Sequence, residues 1–329
     1  MSELHKFIFD GLPVRGAIVR LTDAWQDILR RRANNTSTGP YALPVQELLG
    51  EMTAAGVLMQ SNIKFNGALV FQIFGDGPVK LAVTEVQSNM GVRTTATVHG
   101  EVEQDAALTD MLNTEGNGRC VITLDPKDKL PGQQPYQGVV PLVDAQGVPL
   151  DSLAAILQQY MRQSEQLDTV LVLAANDQVA AGLMVQRMPI KGEANLAGTA
   201  QYTEDVDQID QNEEYNRIAH LASSLTRDEL LSLDVETILH RLFWEEKLLR
   251  FVPEDGEGGP HFECTCSRER VGNMLRNLGQ EEADSILEEQ GMIEVGCEFC
   301  GQQYRFDAVD TAHLFTVPGN DPPASNLMQ

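Results

Sequence analysis

Long apolar runs are missing from this chain, although 42% of its residues are hydrophobic. No stretch approaches the roughly 20 residues needed to span a bilayer, which argues against a membrane-spanning helix. Aromatic residues are sparse at 6%, so the core has to be built mainly from aliphatic side chains. Basic residues are scarce too, 24 Lys and Arg against 48 Asp and Glu, for a formal net charge of -24. The deficit is concentrated after residue 200, where 27 Asp and Glu face 9 Lys and Arg. Such a field repels phosphate backbones and disfavours a nucleic-acid partner, and solubility alone is the other reading of it. No Ser/His/Asp or Cys/His arrangement stands out among the six scattered histidines, and nothing marks an active-site pocket, so no enzyme is expected. Gly75-Asp-Gly-Pro78 lacks the Lys-Ser/Thr of a phosphate loop and reads as a hairpin turn. Met1 to Asp10 holds too short an apolar segment, with an early carboxylate, for a secretory signal. A cytosolic location with reduced thiols is therefore expected.

What is present is an ordinary globular composition over 329 residues, enough for two folded units. Phe7 to Leu21 reads as a strand-like opening with Val14-Arg-Gly16 as a break. Thr22 to Arg32 and Val45 to Met59 carry helical spacing, the second with Leu48, Leu49, Met52, Ala55 and Leu58 on one face. Strands are expected over Ile63 to Phe74, Val79 to Val86 and Thr94 to Val102, where apolar and polar residues alternate, and over Cys120 to Leu124, Gly138 to Val143, Thr169 to Ala174 and Ala180 to Gln186. A short helix over Asp105 to Leu112 and a longer one over Leu150 to Glu165 interrupt them. There is no regular βαβ period, so the fold class is α+β with antiparallel sheets and packed helices.

Glu193 to Asn212 is polar and acidic and reads as a linker. Glu213 to Arg250 is densely amphipathic, with Thr226-Arg-Asp-Glu229 as a capping-box start, and it must hide an apolar face. The C-terminal lobe is the expected cover. The organisation read from these features is a core domain at 1-190, a helical linker at 191-255, a small lobe at 256-320 and a tail at 321-329.

Four of the five cysteines fall in the lobe, as Cys264-Thr-Cys266 and Cys297-Glu-Phe-Cys300. Two close pairs form the pattern of a tetrahedral Cys₄ site, with Zn²⁺ as default occupant, one ion per chain. An iron-sulfur cluster is chemically open to the same ligands. His261 and His313 read as flanking residues, and Cys120 as a buried core thiol. Short helices are expected at Arg270 to Leu278 and Glu281 to Glu289, and a strand at Tyr304 to Phe306. A unit of this size with few large apolar side chains needs a staple. A folded zinc site contributes on the order of 10 to 16 kcal/mol, so metal loss should unfold the lobe. Zinc-bound thiolates also remain nucleophilic toward peroxide or hypochlorous acid, so the site reads either as a structural staple or as a redox trigger.

Cys264-Thr-Cys-Ser-Arg-Glu-Arg270, Cys297-Glu-Phe-Cys-Gly301 and Tyr304-Arg-Phe306 resemble the redox-switch domain of the thirty-three kilodalton heat-shock protein family. Leu225-Thr-Arg-Asp-Glu-Leu-Leu231 and His240-Arg-Leu-Phe-Trp-Glu-Glu246 resemble its linker. Val14-Arg-Gly16, Leu48-Leu-Gly-Glu51, Lys64-Phe-Asn-Gly67, Gly75-Asp-Gly-Pro78, Tyr136-Gln-Gly138 and Ser164-Glu-Gln166 resemble its core. The resemblance implies a chaperone that is silent while reduced and zinc-bound. It implies Cys264, Cys266, Cys297 and Cys300 as ligands and sensors, with disulfides within each close pair on oxidation. Zinc release and unfolding of lobe and linker then expose a surface for unfolding client proteins, without ATP, and the oxidised form is implied to be a homodimer. Two other readings stay open: a thiol oxidoreductase using Cys297 and Cys300, and a constitutive zinc-stapled adaptor.

Overall fold

The computed structural model describes residues 1–35, 39–128, 134–188 and 204–316, with only the backbone for 204–212. The chain divides into two compact units, the first from Met1 to Glu263 and the second beginning at Cys264. The fold class is α+β, as expected. In the first unit β1 (Glu3–Phe9) and β2 (Val14–Leu21) form an antiparallel hairpin. Gly11 turns the chain between them at φ +81°, a conformation that favours glycine. The expected break at Val14-Arg-Gly16 is corrected, because all three residues lie in β2. Gly16 is there for space: a Cβ would stand 2.3 Å from the Phe7 ring across the ladder.

A second sheet holds β3 (Gly67–Phe74), β4 (Val79–Gln87), β5 (Gly91–Val98), β6 (Arg119–Pro126) and β7 (Tyr136–Pro141). Two expected strands are shorter than read. β3 starts at Gly67, and β5 ends where its partner does, at the Val79–Val98 pair. Gly75 closes the β3–β4 hairpin by donating its N–H to Lys80 at 3.0 Å, so the glycine-rich stretch is the expected turn. The first sheet is completed by β8 (Thr169–Ala175), β9 (Ala180–Arg187), β10 (Leu248–Arg250) and β11 (Glu254–Asp255). Its order is β10-β1-β2-β9-β8, with β11 also on β1. β12 (His261–Phe262) joins the edge of the second sheet, giving the order β12-β5-β4-β3-β6-β7. All these pairings are antiparallel except β12 with β5.

Helix α1 (Asp23–Ala33) matches its expected span closely. α2 (Leu43–Ser61) does not have the single apolar face that the spacing suggested, because every residue from Met52 to Gln60 is buried. A helix apolar on all sides belongs in a core. Two glycines allow the close approach: a Cβ on Gly50 would meet Ala175 Cβ at 2.4 Å, and one on Gly56 would meet Val86 at 2.9 Å. After the short α3 (Leu108–Leu112), α4 (Leu153–Tyr160) passes into a π-helical turn over Met161–Glu165. That turn ends at Gln166 in the left-handed region, where the expected α-helix to Glu165 is corrected.

Of the expected linker Glu193 to Asn212, residues 193–203 lie outside the described residues, and 204–212 are helical backbone at the start of α5 (Glu204–Ser223). α6 (Arg227–Ser232) begins at the expected capping box, with Thr226 N–H donating to Glu229 at 3.0 Å and Glu229 N–H to Thr226 Oγ1 at 3.3 Å. α7 (Val235–Phe243) is capped by Asp234. Their apolar residues, among them Ile218, Leu225, Leu230, Ile238, Leu239 and Phe243, bury against Phe7, Phe9, Ile18, Leu183 and Val185 of the first sheet. The expectation that the lobe covers this face is corrected: the whole cluster lies within residues 7–248. The reason is that the sheet is apolar on both faces. α2 covers one face, and the other would stand open without α5–α7. Phe243 meets Phe9 edge-on with ring centroids 5.1 Å apart.

Polar contacts pin the same helices. Arg20 on β2 donates to the carbonyls of Leu230, Leu231 and Leu233 at 3.1, 2.9 and 3.1 Å, satisfying the end of α6. Arg227 at its start reaches Glu47 at 2.6 Å and Glu51 at 3.5 Å on α2. Burial pushes the Glu51 carboxyl up to about 7 against the pull of Arg227, and Glu47 adds to the rise. A carboxyl raised above its unfolded value binds its proton more tightly in the native state, so stability falls as pH rises from about 4.5 through 7. Glu51→Gln should match the wild type near pH 4 and exceed it by about 3 kcal/mol at pH 8 in urea unfolding. A constant difference across that range would refute the assignment.

Candidate metal centre

The second unit is small. α8 (Arg268–Leu278) and α9 (Gln280–Gln290) extend the two expected helices by a residue or two. β14 (Gln303–Phe306) contains the expected strand, and its partner β13 (Ile293–Gly296) and α10 (Ala308–Thr316) were not legible in the sequence. Its buried apolar cluster holds Leu275, Ala283, Ile293 and Phe306 alone among the described residues.

Each cysteine pair sits on a local device. Cys264 and Cys266 lie in extended chain just before α8, whose N-cap Ser267 accepts from Arg270 N–H at 3.1 Å. Cys297 and Cys300 lie in the turn joining β13 to β14. There Gly301 N–H donates to the Cys297 carbonyl at 2.7 Å and Cys297 N–H to Gln302 at 2.9 Å, with Gly301 at φ +74°. This knuckle points both sulfurs of the turn the same way. Arg268 ties the first motif to the second: its guanidinium stacks on Phe306 at 4.2 Å and donates to the Arg305 carbonyl at 2.7 Å. It also pairs with Asp310 on α10 at 2.7 Å.

The result is four sulfurs within 4.8 Å of one another, all half-buried. Contacts run between the motifs, Cys264 to Cys297 at 3.7 Å and Cys266 to Cys300 at 3.4 Å. A disulfide needs about 2.05 Å, so all four are free thiols. A tetrahedral ion with metal–sulfur bonds of about 2.3 Å has sulfur–sulfur edges of about 3.8 Å, and the observed spacings bracket that value. The donor set therefore fits one soft metal ion. The contact between Cys264 and Cys297 holds the Cys264 thiol well below the usual range and pushes Cys297 up. Burial raises Cys300 to about 11.

Tyr304 was read only as part of a strand, yet its hydroxyl donates to Cys266 Sγ at 3.1 Å, and that bond raises its own pKa. The signal was its place in a motif, three residues past Gly301, but nothing in the spacing assigned it a contact. The metal cluster contains neither His261 nor His313. His261 lies on β12 of the first unit, bonded to the Gly259 carbonyl at 2.9 Å. Cys120 is fully buried on β6, where desolvation raises its thiol far above the ordinary value, as expected of an inert core residue.

The comparisons with known proteins agree with this architecture. A family model described as Hsp33 protein matches residues 2–307. The 33 kDa chaperonin of Chromobacterium violaceum is 44% identical over 95% of this chain and 94% of its own length. That of Methylobacillus flagellatus is 42% identical over 97% of this chain and 98% of its own, and that of Neisseria meningitidis 41% over 94% and 90%. The crystal structure of the 33 kDa chaperonin of Thermotoga maritima shares the fold, with a TM-score of 0.68 over 95% of this chain and 97% of that one at 20% identity. With its fold, its Cys₄ cluster and a match along nearly its whole length, this chain belongs to the Hsp33 family.

Proposed function

We propose that this protein is a redox-regulated holdase chaperone of the cytoplasm, which binds unfolding client proteins without ATP and catalyses no reaction. One observation carries the reading: four thiols gather within 4.8 Å in a unit with only four fully buried apolar side chains in its core cluster among the described residues, the rest of that cluster being partly exposed. A core that small cannot hold a fold by burial, so ligation is its main source of stability. Zn²⁺ is the metal, one per chain, held by Cys264, Cys266, Cys297 and Cys300, and when bound it supplies most of the folding energy of the lobe. In functional terms the chain is a core at 1-190, a linker at 191-255, the switch at 256-320 and a tail at 321-329.

Oxidation undoes the ligation. A thiolate attacks peroxide, the O–O bond breaks, and a sulfenic acid and hydroxide form. The neighbouring thiol then attacks that sulfur, giving a disulfide and water. Cys264–Cys266 and Cys297–Cys300 bridges together pass four electrons to two peroxides and remove all four ligands. The lobe then unfolds. The linker is a separate barrier, because α5–α7 rest on the first sheet and are held by Arg20 and Arg227. Mild heat has to supply that second step. Release of the helices uncovers Phe7, Phe9, Ile18, Leu183 and Val185 together with the apolar face of α7 as client-binding surface. The oxidised chain pairs as a homodimer through its core. An oxidoreductase using Cys297 and Cys300 is disfavoured by the knuckle between two strands, which provides no helix N-terminus to activate a thiol.

Two measurements check this. Peroxide with mild heat should release one zinc per chain, read with a chromogenic chelator, and only the treated protein should suppress light scattering by an unfolding client. Equal suppression by the reduced, zinc-loaded protein would end the switch model. Arg20→Met deletes three hydrogen bonds to α6 and should cost about 2 kcal/mol of linker docking. Peroxide should then activate the variant several degrees below the wild-type temperature, whereas an unchanged activation temperature would show that linker docking is not the barrier.

A further inference from the structure

Three of the core motifs named above have no part in the switch, yet they meet at one cavity. Arg15 of Val14-Arg-Gly16, Tyr136 of Tyr136-Gln-Gly138 and Glu165 of Ser164-Glu-Gln166 all line a space of about 290 Å³ in the first unit. Its walls are otherwise largely apolar, with Met59, Ile63, Ile122, Leu124, Met161 and Met184 from α2, β6, the π-helical turn and β9. Gly138 belongs to the construction as well, since a Cβ there would stand 2.5 Å from the Tyr160 ring.

Arg15 is the unusual member. It pairs with Gln186 in the β2–β9 ladder, on the side of the sheet that carries Ala17 and Met184 into the main core. Burial lowers its pKa, and among the described residues no carboxylate lies within ion-pair distance of it. Its Nε and Nη2 both donate to Gln186 Oε1, the first at 3.0 Å. Gln186 is itself buried and fixed by a bond from its Nε2 to Thr169 at 2.8 Å. A neutral amide thus orients the guanidinium without neutralising it. The remaining N–H groups of the fork have no protein acceptor among the described residues. Half-buried beside apolar walls with a neutral partner, this cation is favourably placed to take an anion.

We infer that this cavity is a binding site for a small apolar monocarboxylate, whose carboxylate pairs with the Arg15 guanidinium while its aliphatic body lies against the methionine and isoleucine walls. The planar fork suits a carboxylate by two parallel bonds, and the volume sits at the small end for ligand pockets. The charge count follows from Glu165. Its Oε1 accepts from Tyr136 at 3.0 Å and Tyr160 at 2.8 Å, so a fixed carboxylate already lines the site. A second acid on the ligand would meet it, which selects monoacids over diacids.

Decanoate is the probe, titrated calorimetrically into the reduced full-length protein, with decanol and decanedioate as uncharged and doubly charged comparators. One decanoate per chain should bind saturably, at least tenfold tighter than either comparator. Arg15→Gln should weaken decanoate at least tenfold and leave decanol unchanged, with Arg15→Lys intermediate. Ile63→Trp, a half-buried wall position, should block both decanoate and decanol by bulk, and it decides the matter if Arg15→Gln does not fold. Binding of several decanoates per chain, equal affinity in Arg15→Gln, undiminished binding in a folded Ile63→Trp, or no binding at all would each overturn the site.

Discussion

A sheet with two apolar faces must be covered twice, and the first unit is organised by that requirement. β2 and β9 are buried along nearly their whole length. Ala17, Val19, Leu21 and Met184 face α2, while Val14, Ile18, Leu183 and Val185 face the helices after residue 203. The inner cover is permanent, since α2 lies between two sheets and touches both. The outer cover is α5–α7 on one surface, joined to the rest by side-chain contacts and by the short strands β10 and β11 on β1. Hydrophobic burial drives both associations at roughly 25 cal/mol per Å² of apolar area, and the difference lies in what else holds each in place.

The second unit has a much smaller apolar cluster. Among the described residues Leu275, Ala283, Ile293 and Phe306 are its fully buried apolar side chains, with partly buried neighbours such as Val271 and Leu314 packed around them. The sulfurs are close enough to share one ion and half-buried, so an oxidant can reach them. Tyr304 and Arg268 add local order around the site without replacing the ligands.

The cavity at Arg15 belongs to a different part of the same logic. It is lined by residues of β2, α2, β6, β7, α4, the π-helical turn and β9 instead of being closed by one large side chain. The Arg15 guanidinium stands at this cavity, half-buried and oriented by Gln186.

By itself the sequence determined the α+β class, the alternating strands of the second sheet, the Gly75–Pro78 hairpin, the capping box at Thr226 and the four cysteines, because each rests on local periodicity or on spacing within a few residues. Only the tertiary structure decided what depends on neighbours distant in the chain. Gly16 and the all-round burial of α2 follow from the rings and strands that pack on them. The docking of α5–α7 on the first sheet was misread because an amphipathic pattern says that a face is covered and not by what. The Tyr304 bond to Cys266 and the union of Arg15, Tyr136 and Glu165 were likewise hidden, since backbone topology brings residues together over separations that no spacing rule can read.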